Sequence, residues 1–208
     1  DRTVVDLPFN YDYRVDLKDV RIGYLKGLFE EDYRGRETDA VTLDKLRRLG
    51  ADLVPIELPD YPVEALAFIL SAEAAAAFDE LTRSGRDDLM VRQIRNAWPN
   101  VFRSSRFIPA VEYIQANRVR TMIMGALDAA MAGIDVLITP SYAEGVLLMT
   151  NLTGHPAVVV PNGFGGDDTP VSFSFIGGLW KEAEALRVAR AYQDATDHHL
   201  RPPPLFVG

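Results

Sequence analysis

"VRIGYLKGLFEEDYRGRETDAVTLDKLRRLGADLVPIEL", residues 20–58, carries two periodicities back to back, and their order decides the fold class. "VRIGYL" is a short apolar run that reaches Gly23 and Gly27, the pattern of a buried strand. In "TDAVTLDKLRRLG", Ala40, Leu43, Leu46 and Leu49 recur at helical spacing. Thr38 or Asp39 is placed to cap the start of that helix, and Gly50 supplies a left-handed residue past its end. "ADLVPIEL" (51–58) then reads as a second strand. Strand, helix, strand in so short a span predicts a βαβ unit with parallel strands.

Outward from this unit the alternation continues. Pro62 opens "PVEALAFILSAEAAAAFDELTRSG", an alanine-rich stretch that predicts one long helix ending at Gly85. "RDDLMVRQIRNAWPN" predicts a short helix broken at Pro99, and Pro109 starts a long helix closed by Gly133. "IDVLITP" (134–140), "AVVVP" (157–161) and "VSFSFIG" (171–177) each read as a buried strand. "LWKEAEALRVARAYQDATDHHL" is a final amphipathic helix. The expectation is α/β: a mixed, largely parallel sheet with helices packed on it, residues 1–208 forming a single domain.

Composition bounds the chemistry. The chain has 208 residues, 48% of them apolar and 25% charged, enough for a core without metal or disulfide. Absence of cysteine excludes thiolate metal sites and a cysteine nucleophile, and fits a cytoplasmic protein. A net charge of −8 without a dense Lys/Arg cluster argues against direct nucleic-acid binding. No apolar run approaches the ~20 residues of a membrane span. The chain opens at Asp1 in "DRTVVDLPFNYDYRVD", which reads like a cut in a longer polypeptide.

The residues present no complete active site. His198 and His199 are adjacent, so on a helix they diverge by about 100° and cannot easily share one ion. His155 lies alone in a turn, and no metal site is expected. "NGFGG" (162–166) could present amides to a phosphate, but no helix follows it and no GxxxxGK[ST] pattern is present. A turn between two strands, with Asp167 and Asp168 at its tip, is the preferred reading, and no cofactor is expected. "RSSR" (103–106) offers serines flanked by arginines, a helix interruption rather than a nucleophile. Of the four lysines, Lys45 and Lys181 sit on amphipathic helices, and no serine neighbours Lys18 or Lys26.

The order of segments nevertheless resembles the C-terminal part of the amidase signature family of amide hydrolases. The resemblance is carried by "LKDVRIGYLKG", "LRRLGADLVPIELP", "DVLITPS", "NLTGHPAVVVPNG" and "TPVSFSFIGGLWKEAEALRVARAYQDAT". Arg120, fifteen residues before Asp135, falls where family members tend to have an arginine. Members hydrolyse amides with a Ser–Ser–Lys triad in a glycine- and serine-rich region that precedes everything resembled here, so no catalytic residue is carried over.

The resemblance implies a C-terminal portion of an amide hydrolase, inactive alone, whose whole protein acts on a small amide with help from a missing N-terminal catalytic portion. By analogy with the glutaminase subunit of tRNA-dependent amidotransferases, Glu144, seven positions before Asn151, would lie near the substrate's amino group, with a solvated loop carboxylate as the alternative reading. Asn151 is the second candidate contact, although holding the adjoining turn is the role preferred for it. Arg92, Arg95 and Arg106 compete to pair a substrate carboxylate. In "NLTGHPAVVVPNGFGG", residues 151–156 are expected to be a turn, 157–160 a buried strand and 162–166 the next turn. The alternatives are a non-catalytic interaction module on the same scaffold, and part of the glutaminase subunit of a tRNA-dependent amidotransferase. A sheet completed by upstream strands would leave an edge uncovered, so self-association is also expected.

Overall fold

The computed structural model describes residues 6–141, 143 and 145–206. Along the chain lie β1 (Arg21–Tyr24), α1 (Lys26–Glu30), α2 (Arg36–Arg48), β2 (Asp52–Pro55), α3 (Phe68–Ala77), α4 (Asp79–Arg83), α5 (Trp98–Ser104) and α6 (Ala110–Met131). Then come β3 (Val136–Pro140), α7 (Val146–Thr153), β4 (Ala157–Phe164), β5 (Pro170–Gly177) and α8 (Glu182–Asp194). The chain divides into two compact units, one reaching Pro59 and resuming at Ala126, the other Asp60–Gly125.

The first unit holds a five-stranded sheet in the order β2-β1-β3-β5-β4. β1 pairs in parallel with β2 and with β3, while β5 is antiparallel to both β3 and β4. Four strands therefore run one way and β5 alone runs against them, a mixed α/β sheet as expected. The βαβ reading of residues 20–58 holds, with Ile22 in register with Leu53.

One face of this sheet presents Ile22, Val136, Ile138, Val160, Phe173 and Phe175, all buried. Leu43 and Leu46 of α2 and Val188, Ala189 and Tyr192 of α8 belong to the same cluster. Phe173 lies edge-on to Phe175 at 5.5 Å and stacks on Phe29 at 5.8 Å, pair geometries that add to area burial. The acidic Glu37 and Asp39 in the first turn of α2 and the basic Lys45, Arg47 and Arg48 in its last oppose the helix dipole favourably.

Several boundaries differ from the sequence expectation. α2 begins at Arg36 behind Gly35, so Thr38 and Asp39 lie inside the helix rather than capping it. Its buried face is Asp39, Thr42, Leu43 and Leu46, and Ala40 is exposed. Gly50 does adopt the left-handed conformation, at φ 99°. Residues 151–153 are the last turn of α7, which Gly154 ends in a left-handed conformation. β4 runs on through Asn162 and Gly163 to Phe164 because β5 supplies backbone partners, with an irregularity between Pro161 and Gly163. Only the tip is a turn: Gly165 N donates to Thr169 O at 2.9 Å, and Asp167 accepts from the Thr169 hydroxyl. β4 is also only half buried, with Ala157 and Val159 exposed at the sheet edge.

In the second unit the expected single helix after Pro62 is three pieces: a 3-10 turn (Val63–Leu66), α3 and α4, interrupted at Phe78. Pro99 does not break a helix but sits in the first turn of α5, where its missing N–H costs nothing. "RSSR" does interrupt a helix, since α5 ends at Ser104 and a 3-10 turn follows. Arg103 forms ion pairs with Asp87 at 2.5 Å and with Asp88 at 2.6 Å, and Arg106 pairs with Asp79.

Candidate functional site

β1 sits between β2 and β3, so the connections leaving β1 and β3 diverge at the carboxyl ends of two adjacent parallel strands. Such a reversal of strand order opens a crevice there, the usual place for a ligand in an α/β sheet. A pocket of about 620 Å³ lies at this point in the first unit. The segment after β1 contributes Leu28, Glu31, Tyr33 and Arg34, and α2 contributes Asp39. The end of β3 contributes Pro140 and Ser141, and the antiparallel β5 brings its first residues, including Ser172, to the same end.

Behind the pocket wall runs a buried polar network. Asn162 Nδ2 donates to Asp39 Oδ1 at 2.7 Å and to Thr42 Oγ1 at 3.0 Å. Tyr33 donates its hydroxyl proton to Asp39 Oδ2 at 2.9 Å, and the Thr42 and Tyr192 hydroxyls lie 3.2 Å apart. Asp39 is 2% exposed and Asn162 1%. Burial pushes the Asp39 carboxyl up to about 6, against the opposing pull of the Asn162 and Tyr33 hydrogen bonds. Burial, with the Asp39 charge and bond adding to it, also raises Tyr33, and burial raises Tyr192.

Ser141 and Ser174 share a hydroxyl–hydroxyl contact at 3.0 Å, which pairs a serine with a hydroxyl rather than a base. His155 is buried, with Nδ1 2.8 Å from Thr153 Oγ1. Burial lowers its pKa against the field of Asp128. His198 and His199 lie in a 3-10 turn. Among the described residues no three His, Cys, Asp or Glu groups are placed to hold a metal ion.

Of the two residues singled out from sequence, Glu144 lies outside the described residues. Asn151 is exposed on α7 and is not among the residues lining the pocket. Arg92, Arg95 and Arg106 belong to the second unit, where Arg106 is committed to Asp79. Tyr33, Asp39 and Asn162 were not anticipated as site residues. Asp39 left a sequence signal, because it shares the apolar stripe of Leu43 and Leu46, four and seven positions on. Asn162 left none, since a turn explains an Asn-Gly pair equally well.

No family model matches the chain. It is 30% identical, over 91% of its own length, to the A-subunit of the glutamyl-tRNA(Gln) amidotransferase of Bacillus cereus (strain AH187), of which it covers 48%. The crystal structure of the native peptide amidase from Stenotrophomonas maltophilia superposes with a TM-score of 0.69 at 22% identity, over 98% of this chain and 49% of that one. A bacterial aryl acylamidase of the amidase signature enzymes superposes with a TM-score of 0.69 at 17% identity, over 94% of this chain and 50% of the other. The chain spans about half the length of the curated relatives it matches.

Proposed function

We propose that this chain, which spans about half the length of its relatives, is a C-terminal portion of an amidase signature enzyme and forms one wall of an amide hydrolase's substrate pocket. The Ser–Ser–Lys triad then lies in the other half of the protein. The observation that carries this reading is the pocket at the carboxyl ends of β1 and β3. Its volume of about 620 Å³ is that of a small-molecule site. The lining mixes apolar Leu28, Pro140 and Val171 with the polar Tyr33, Arg34 and Ser172, the composition that orients a small polar substrate.

In the whole protein the chemistry is acyl transfer. A serine from the other half attacks the amide carbonyl, ammonia or an amine leaves, and water releases the acid. This half contributes positioning and exclusion of water, and needs no cofactor. Glu144, near the substrate's amino group, enters as a candidate contact carried by the resemblance, whereas Asn151, exposed on α7 outside the pocket lining, is not proposed as a contact. The setting proposed is cytoplasmic, and the edge strand β4 is the proposed site of self-association in the isolated chain.

The test is to offer the isolated chain a panel of primary amides including glutamine. No turnover above buffer is expected. Turnover that disappears when a residue of this chain, such as Ser141, is changed to alanine would overturn the reading. The rival, an interaction module without catalysis, predicts that the coding region upstream of Asp1 encodes no glycine- and serine-rich run with a preceding lysine.

A further inference from the structure

Charge and proton placement in the pocket wall together define the ligand it suits. The wall carries two carboxylates, Glu31 and Asp39, against one guanidinium, Arg34. Arg34 is already paired with Asp167 at 3.0 Å, so the wall has more negative than positive charge left to offer.

Each proton along the buried chain has one home. Asn162 uses both amide protons, on Asp39 Oδ1 and Thr42 Oγ1. The Thr42 hydroxyl donates to the Thr38 carbonyl at 3.0 Å, which leaves Tyr192 as the donor in the Thr42–Tyr192 contact. Tyr33 gives its single proton to Asp39 Oδ2. An ionised carboxylate only accepts, so Asp39 above its raised pKa holds that proton in place. The Tyr33 oxygen then has lone pairs and no proton to present.

We propose that Tyr33 is a specificity-determining residue of this pocket, an obligate acceptor fixed by Asp39 that selects ligands bearing an N–H donor, a primary amide or an ammonium group. A freely rotating hydroxyl serves donors and acceptors alike, whereas this one rejects a ligand with nothing to donate. The inference rests on the pocket being the substrate pocket, as read above.

The experiment is a pair of NMR titrations of the full 208-residue chain at pH 7.5. The probes are propionamide and N,N-dimethylpropionamide, which keeps the carbonyl and loses both N–H groups. Amide resonances of Leu28 and Ser172 report the pocket. Propionamide is expected to bind about tenfold more tightly, the size of one unpaired hydrogen bond. Tyr33→Phe is expected to bring the ratio to about one. Asp39→Asn, whose amide can donate to Tyr33 and free the hydroxyl, gives the same comparison if Tyr33→Phe fails to fold. If both probes shift those resonances and the ratio is unchanged in both variants, the role of Tyr33 is overturned while the pocket stands. If neither probe shifts them in the parent chain, the substrate-pocket reading and this inference fall together.

Discussion

Asn162 of β4 donates to the Asp39 carboxylate of α2 at 2.7 Å, a buried bond between residues 123 positions apart. It joins the sheet edge to the helix that backs the candidate pocket. Both groups are almost inaccessible to water, so neither can replace the other by solvent.

Asn162→Ala therefore leaves a buried carboxylate oxygen short of a donor. A loss of about 2–3 kcal/mol of unfolding free energy is expected. Urea titration reads it directly, and a loss under about 0.5 kcal/mol would show that the bond is idle.

Asp39 makes stability depend on pH in a direction opposite to a surface carboxylate. Its folded pKa is raised from 3.8 to about 6, so between those values the folded chain binds the extra proton. Stability contributed by Asp39 is full below about pH 4 and is lost as pH rises through 6, by roughly 3 kcal/mol. The titratable groups that interact with it are Tyr33, which donates to it, and Tyr192, whose pKa its charge raises. Subtracting the pH profile of Asp39→Asn removes the contributions of exposed acids such as Asp167, and a flat difference would contradict this.

Gly163 follows Asn162 at φ 144°, where L side chains are strained, and an added Cβ would stand 2.7 Å from Thr38 Cγ2. Gly163→Ala is expected to cost about 1–3 kcal/mol. Thr38→Ser, which removes that methyl, should recover part of the loss in the double variant, the remainder being backbone strain. Full additivity of the two changes in thermal melts would rule out the collision.

In the second unit, Arg103 serves two unequal carboxylates. Asp87 is 2% exposed in its side chain and Asp88 75%. Arg103→Ala is expected to cost about 3 kcal/mol by stranding the buried charge, while Asp88→Ala should cost under about 1 kcal/mol. Equal losses in chemical denaturation would remove the distinction.

At the sheet edge, Val159 is 58% exposed on β4. Light scattering of the isolated chain is expected to give a mass that rises with concentration and falls in Val159→Lys, because a lysine blunts edge pairing. A monomer at every concentration would refute edge-mediated association.

What could be read from residues alone was local. Leu43 and Leu46 mark a helix, alternation in "VSFSFIG" marks a strand, and Gly50 marks a helix end, because each depends on spacing along one segment. The α/β class followed from their order, and the amidase resemblance from the order of longer segments. Where partners come from far along the chain, local signals misled. "VPNGF" reads as a turn until β5 supplies its ladder. "NLTG" reads as a turn until α7 extends to it, and Asp39 reads as a cap until the sheet buries it. The pocket itself exists only because β3 returns beside β1 across the intervening chain. Spacing determined the elements, while tertiary pairing decided which polar groups lost water and therefore had to find one another.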